Sequence, residues 1–166
     1  MSNKLIKRIW NIFSITMTLV LLVLTFLLVG VRFIGFTPYA ITSESMEPEF
    51  PIGSVVYVKE VPMDEIEIES PITFVSNEDL VVVTHRVKEI DNDAQLFTTK
   101  GDSNNTVDEK LVHFNNVLGT VQYSLPYLGN LALFIKTKKG FIVLITIIII
   151  LTIGSLVKIW LENKEK

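Results

Sequence analysis

Two long apolar runs frame a chain whose middle alternates between hydrophobic and polar residues. Ile9 to Val29 is twenty-one residues without a charge, and Phe141 to Val157 is seventeen. A helix needs ~20 such residues to cross a hydrocarbon core, so the first run suffices and the second sits at the short end. The Ile147-Ile148-Ile149-Ile150 tract is too apolar for a surface, and the small domain left between the runs has little room to cover it. Within that domain, Val55-Val56-Tyr57-Val58 follows Gly53-Ser54 and a turn flanked by Pro48 and Pro51, and reads as a strand. From Leu80 to Ile90 the pattern has period two. Val81, Val83, His85 and Val87 share one face, and Val82, Thr84, Arg86 and Lys88 share the other. Asp91-Asn92-Asp93 is a turn signal with Gln95–Lys100 as hairpin partner, and Asn115–Ser124 is a last strand, ended by Leu125-Pro126-Tyr127-Leu128-Gly129. No long helical periodicity, repeat or low-complexity linker interrupts the series. The predicted fold class is mainly β, one β domain flanked by N- and C-terminal transmembrane helices.

Lys4, Lys7 and Arg8 precede the first run. A cleavable secretory signal has a shorter apolar core and a small-x-small site, and nothing of that kind follows Gly30, so an uncleaved anchor is expected. Basic flanks stay in the cytoplasm, which sends the middle of the chain outside. The expected organisation is a cytoplasmic N-terminus with helix one over 1–32 and an extracytoplasmic β domain over 33–138. A second transmembrane helix over 139–158 and a cytoplasmic tail over 159–166 follow. The tail carries Lys164 and Lys166, just past Lys158, while Lys136, Lys138 and Lys139 become interfacial anchors on the outer side. The expected location is the cell membrane, multi-pass, with the lipid bilayer as the first partner.

The net charge of -3 hides an asymmetry. Residues 33–135 hold sixteen Asp or Glu against five Lys or Arg, a balance of -11. An acidic middle repels phosphates, so nucleic-acid binding is rejected. The absence of cysteine excludes disulfides, thiolate catalysis and cysteine-ligated metals. The two histidines, His85 and His113, are not spaced as a helical metal pair, and a zinc site would need extra carboxylates. No metal or cofactor is expected.

What remains is a hydroxyl, an imidazole and a carboxylate. Ser45 lies in the polar, proline-punctuated segment Thr42-Ser43-Glu44-Ser45-Met46-Glu47-Pro48, shortly after the first apolar run. His85 follows in Val83-Thr84-His85-Arg86-Val87, and Asp102 and Asp108 come after it. A serine in a β domain is ordinarily a turn residue, and a histidine on an apolar strand face is ordinarily a satisfied core group. The loop setting of Ser45 favours chemistry, since reactive groups gather on loops carried by a rigid scaffold.

Four segments together carry a resemblance. Ser43-Glu44-Ser45-Met46-Glu47-Pro48, with Gly53 and a valine-rich strand after it, resembles the nucleophile box Ser-Gly-Ser-Met-x-Pro of type I signal peptidases. Val82-Val83-Thr84-His85-Arg86-Val87 resembles their second box, with histidine where most bacterial members carry lysine. That is similar to the endoplasmic-reticulum and archaeal type, which also occurs in Gram-positive and spore-forming bacteria. Thr99-Lys100-Gly101-Asp102-Ser103-Asn104-Asn105 through Asp108 resembles the Gly-Asp-x-Asn box, and Gly119-Thr120-Val121 leading to Leu125-Pro126-Tyr127-Leu128-Gly129 the closing segment. The boxes run in order from about Thr37 to Gly129.

The resemblance implies a serine endopeptidase that removes signal peptides from secretory preproteins, with no cofactor. Ser45 would be the nucleophile and His85 its general base, then the acid that protonates the leaving amine. A carboxylate would orient the imidazole. Asp108 is preferred for that role and Asp102 for a structural one, with the reverse assignment kept open. The Ser45 N–H and the Ser43 hydroxyl would form the oxyanion hole, though a plain turn hydroxyl remains an alternative for Ser43. One departure stands out: Glu44 replaces the usual glycine between the serines. If its side chain pointed into the cleft, it would obstruct substrate. His113 is read as structural, Arg86 as a positioning or ion-pair residue, and Met46 as packing beneath the nucleophile or plain core. No accessory membrane protein is read from the sequence. The rival expectation is a non-catalytic membrane-anchored β domain that binds a secreted partner.

Overall fold

The computed structural model describes residues 2–76 and 81–164, which fall into two compact units. One joins the chain up to Gly30 with the chain from Leu133 onward, and the other is Val31–Ala132. Leu80, where the expected alternation begins, and the last two residues of the expected tail lie outside the described residues.

In the first unit, α1 (Ser2–Leu28) and α3 (Lys138–Lys164) are helices. Lys7–Leu28 and Lys138–Trp160 are each long and apolar enough to cross a membrane. The hydroxyls of Thr25, Thr146, Thr152 and Ser155 donate to carbonyls one turn back, which satisfies them without water. The second candidate span has 23 residues where the uncharged run has seventeen. The cause is local. Thr137 Oγ1 accepts the Gly140 N–H and caps α3, so the helix starts with two lysines before the apolar run opens. Trp10 of α1 packs over Gly154 of α3, where any Cβ would collide with the indole.

The second unit is built on a seven-stranded antiparallel sheet. Its strands are β1 (Phe36–Ala40), β2 (Val55–Lys59), β3 (Pro71–Val75), β4 (Val82–Asp91), β5 (Leu96–Lys100), β6 (Val112–His113) and β7 (Val117–Leu125), in the order β1-β2-β7-β3-β4-β5-β6. The expected hairpin is β4–β5, with Asp91 paired to Leu96. The alternation along β4 holds to Val87 and then slips at a bulge between Val87 and Glu89. Two strand pairings of β7 also carry register shifts, one against β2 and one against β3. A helix that the sequence pattern does not announce, α2 (Leu128–Lys136), follows β7. The expected closing loop at Leu128-Gly129 is its first turn, pinned by Gly129 N–H to Gly53 O at 2.8 Å.

The buried side chains form two clusters. Ile66, Ile72, Phe74, Val87, Phe97 and Val112 make one, while Ile41, Met46, Phe50, Val56 and Val58 make the other. The first lies under β3–β4–β5. The second fills the space beneath the loop from Ile41 to Ser54 that joins β1 to β2.

Candidate active site

Ser45 is carried by that β1–β2 loop, and the loop is tied at its neck and at its tip. Ile41 N–H bonds Ser54 O and Gly53 N–H bonds Ile41 O, both at 2.9 Å, so its ends meet. Two turns within it, Glu47 N–H to Glu44 O and Phe50 N–H to Met46 O, fold the backbone so that Met46 and Phe50 plug the core. Met46 is 1 % exposed, and it also lines the cavity beside Ser45, so both expectations for it hold at once. Burying a methionine or phenylalanine side chain is worth roughly 1.5–3 kcal/mol, which is what fixes a polar loop over an apolar core.

The tip is held by the segment after β5. Ser103 N–H donates to Ser45 O at 3.0 Å and Ser103 Oγ to Glu44 O at 2.8 Å. Gly101 packs so closely there that a Cβ would stand 2.6 Å from Ser45 O. The glycine of this segment is therefore a requirement of contact with the serine loop. Ser43 and Ser45 hydroxyls lie 3.2 Å apart. Among the described residues no acceptor takes the Ser45 N–H.

Glu44 is exposed and does not line the cavity. It also needs no glycine-like backbone. The non-glycine residues with positive φ among those described are Glu69, Gln95 and Tyr127. The bulk that its charge could have added to the cleft is turned to water.

His85 projects from β4 on the face that carries Val87, with its ring edge-on to Phe74 at 6.3 Å. Its side chain is 12 % exposed. Nδ1 lies 2.6 Å from Asp108 Oδ2. A carboxylate only accepts, so Nδ1 carries the hydrogen and Nε2 is the basic nitrogen of the neutral ring. Asp108 itself receives the Thr99 hydroxyl at 2.6 Å, and its N–H bonds Thr99 O at 2.8 Å.

Asp102 goes elsewhere. Arg86 faces the opposite side of β4 and grips both its oxygens, Nε to Oδ1 at 2.7 Å and an NH2 nitrogen to Oδ2 at 2.6 Å. The same guanidinium reaches Glu49 on the serine loop and the Glu69 carbonyl, each at 2.7 Å. The Asp102 hydrogen bond, foremost, raises the Arg86 pKa above its already high ordinary value, against the opposing effect of burial. Arg86 is a permanent cation that ties three segments together. His113 is a local cap, its Nδ1 accepting the Asn115 N–H at 3.1 Å. Among the described residues no group of three His, Cys, Asp or Glu side chains is placed to hold a metal ion.

Ser43, Ser45, Met46 and His85 line one cavity of about 400 Å³. Its walls are Tyr39–Thr42 on one side and Val81–Thr84 on the other. Both walls are strand edges. β1 ends the sheet, and β4 pairs with β3 over residues 82–86 but with β5 only from Arg86 onward. Along 82–85 the second edge of β4 is unpaired among the described residues. Such a slot offers main-chain donors and acceptors to an extended peptide and apolar walls to its side chains. A hydroxyl and an imidazole line it, with the half-buried Asp108 behind the imidazole, groups of the kind that suit nucleophilic attack on a carbonyl.

Thr99, Ser103 and Glu49 hold the site together, and their roles were not readable from the chain. Thr99 and Ser103 stand inside a recognisable segment without a signal for what they touch. The Glu49–Arg86 contact joins residues 37 apart and has no local signature.

No family model matches the chain. Over 121 residues it is 36% identical to signal peptidase I W of Bacillus subtilis (strain 168), a match covering 67% of this chain and 63% of that protein. The match thus spans less than two thirds of the relative's length.

Proposed function

We propose, from the premise that this chain is a relative of the type I signal peptidases, that it is a membrane-anchored serine endopeptidase removing signal peptides from secreted preproteins. The observation that carries this reading is that His85, which lines one cavity with Ser45, has its Nδ1 2.6 Å from Asp108. Ser45 Oγ attacks the scissile carbonyl while His85 Nε2 takes its proton. The tetrahedral oxyanion is met by the Ser45 N–H and the Ser43 hydroxyl, donors worth ~3 kcal/mol each where they are preorganised. The imidazolium, stabilised by Asp108, then returns its proton to the leaving amine. Water repeats the cycle on the acyl-enzyme and releases the signal peptide. Asp102 acts through Arg86 and the Ser103 contacts, as a positioning group.

The substrate enters extended between the edge of β1 and the open edge of β4, with small residues such as alanine ahead of the cut. The basic residues before α1 keep the N-terminus in the cytoplasm. Residues 33–138 then form the outer domain, 139–158 return through the bilayer, and the tail is cytoplasmic. A signal peptide's own apolar stretch lies in the same bilayer, so its cleavage site emerges where this domain works.

The test is processing of a preprotein by the full-length protein in detergent or lipid. Wild type yields the mature product, and Ser45→Ala and His85→Ala fall to background. Equal processing by all three, or none by wild type, would sink the peptidase reading; retained precursor binding would then favour a non-catalytic binding domain.

A further inference from the structure

Thr99 is fully buried on β5, opposite Val87 of β4, and so shares the sheet face that carries His85. It holds Asp108 at two points, through its carbonyl on the Asp108 N–H and through Oγ1 on Asp108 Oδ2. Because a carboxylate oxygen has no hydrogen to give, the hydroxyl is the donor. The same Oδ2 faces His85 Nδ1, also at 2.6 Å. One oxygen therefore serves two donors, and what it gives to the hydroxyl it withholds from the imidazole.

We propose that Thr99 is a positioning residue of the reaction: it fixes the Asp108 carboxylate and, by drawing charge from Oδ2, tempers its hold on the His85 ring. This rests on the Ser45–His85–Asp108 reading above. Two physical effects follow from a donor on that oxygen. The carboxylate loses rotational freedom, so the ring keeps one tautomer and one direction. Its hold on the imidazolium also weakens. Lys110 lines the second cavity, of about 200 Å³, that His85, Thr99 and Asp108 border. Arg86 and Lys100 are paired across β4–β5 on the opposite face, where Arg86 engages Asp102, Glu49 and the Glu69 carbonyl.

The experiment is steady-state preprotein processing by full-length Thr99→Val and Thr99→Ser over about pH 5 to 9, the range in which an imidazole titrates. Valine keeps the branched shape and removes the donor. Loss of one hydrogen bond to a charged group lowers kcat on the order of tenfold, with KM little changed. The freed carboxylate stabilises the imidazolium more. Protonated imidazole is no base, so the acid limb of the rate profile moves to higher pH. Thr99→Ser keeps wild-type rate and profile. A valine variant with wild-type kcat, or a slower one with an unmoved acid limb, overturns the proposal; so does a serine variant as impaired as valine. Should Thr99→Val not fold, Thr99→Ala carries the same comparison. Ser45→Ala, His85→Ala and Asp108→Asn are run alongside. If they too process normally, the catalytic reading itself has failed; if they are inactive and only Thr99→Val is normal, this inference alone has.

Discussion

His85 and Arg86 are neighbours on β4, and each receives an aspartate from the same short segment on opposite faces of the strand. The two ion pairs look alike on paper and differ in what they can do. An imidazole exists both neutral and protonated, so a pair built on it can change its charge. Guanidinium stays charged, and its two parallel bonds to Asp102 make a permanent fork. One pair is built to change and the other to stay. The fork steadies the segment whose Ser103 grips the serine loop, so the unchanging pair serves the changing one.

Three substitutions would break or sharpen this contrast. Asp108→Asn keeps the shape at the His85 face and removes the charge that orients the ring. A loss on the order of 10³- to 10⁴-fold in kcat is expected, as for a triad aspartate, with a melting temperature close to wild type. Asp102→Asn acts on the other face. It weakens the fork on a guanidinium whose side chain is 13 % exposed but which keeps Glu49 and the Glu69 carbonyl, and should cost roughly 1–3 kcal/mol in denaturant unfolding. Its kcat should fall far less than that of Asp108→Asn, and the reverse ranking would exchange the two aspartates. Glu44→Gly is the smallest change, beside the nucleophile yet touching neither pair. Unfolding free energy should stay within about 0.5 kcal/mol, and processing should hold near the wild-type rate.

Strands β2, β4, β5 and β7 were legible because β-branched and aromatic residues recur in them with turns between. β1, β3 and β6 were not. β1 contains Pro38, which an edge strand tolerates but which argues against a strand when read in sequence. β3 is five residues long and opens on Pro71, and its three alternating residues Ile72, Thr73 and Phe74 are too few to mark a strand. β6 is two residues long. At the site, the order of boxes named the serine, the histidine and two rival aspartates. Their partners depend on strand register and on a loop that closes back on β5, and neither is written in local pattern. The same is true of Thr99, whose importance comes entirely from what lies across from it.

The half-paired length of β4 has a consequence for the molecule as a whole. A strand left unfinished on one side would ordinarily invite a second copy to complete it, the first step of aggregation. Residues 33–135 carry sixteen acidic against five basic side chains, and identical, strongly negative bodies repel one another at neutral pH. The surplus of carboxylates thus opposes pairing of that edge with the protein's own kind, and a lone extended chain would not meet the same repulsion unless it too were acidic.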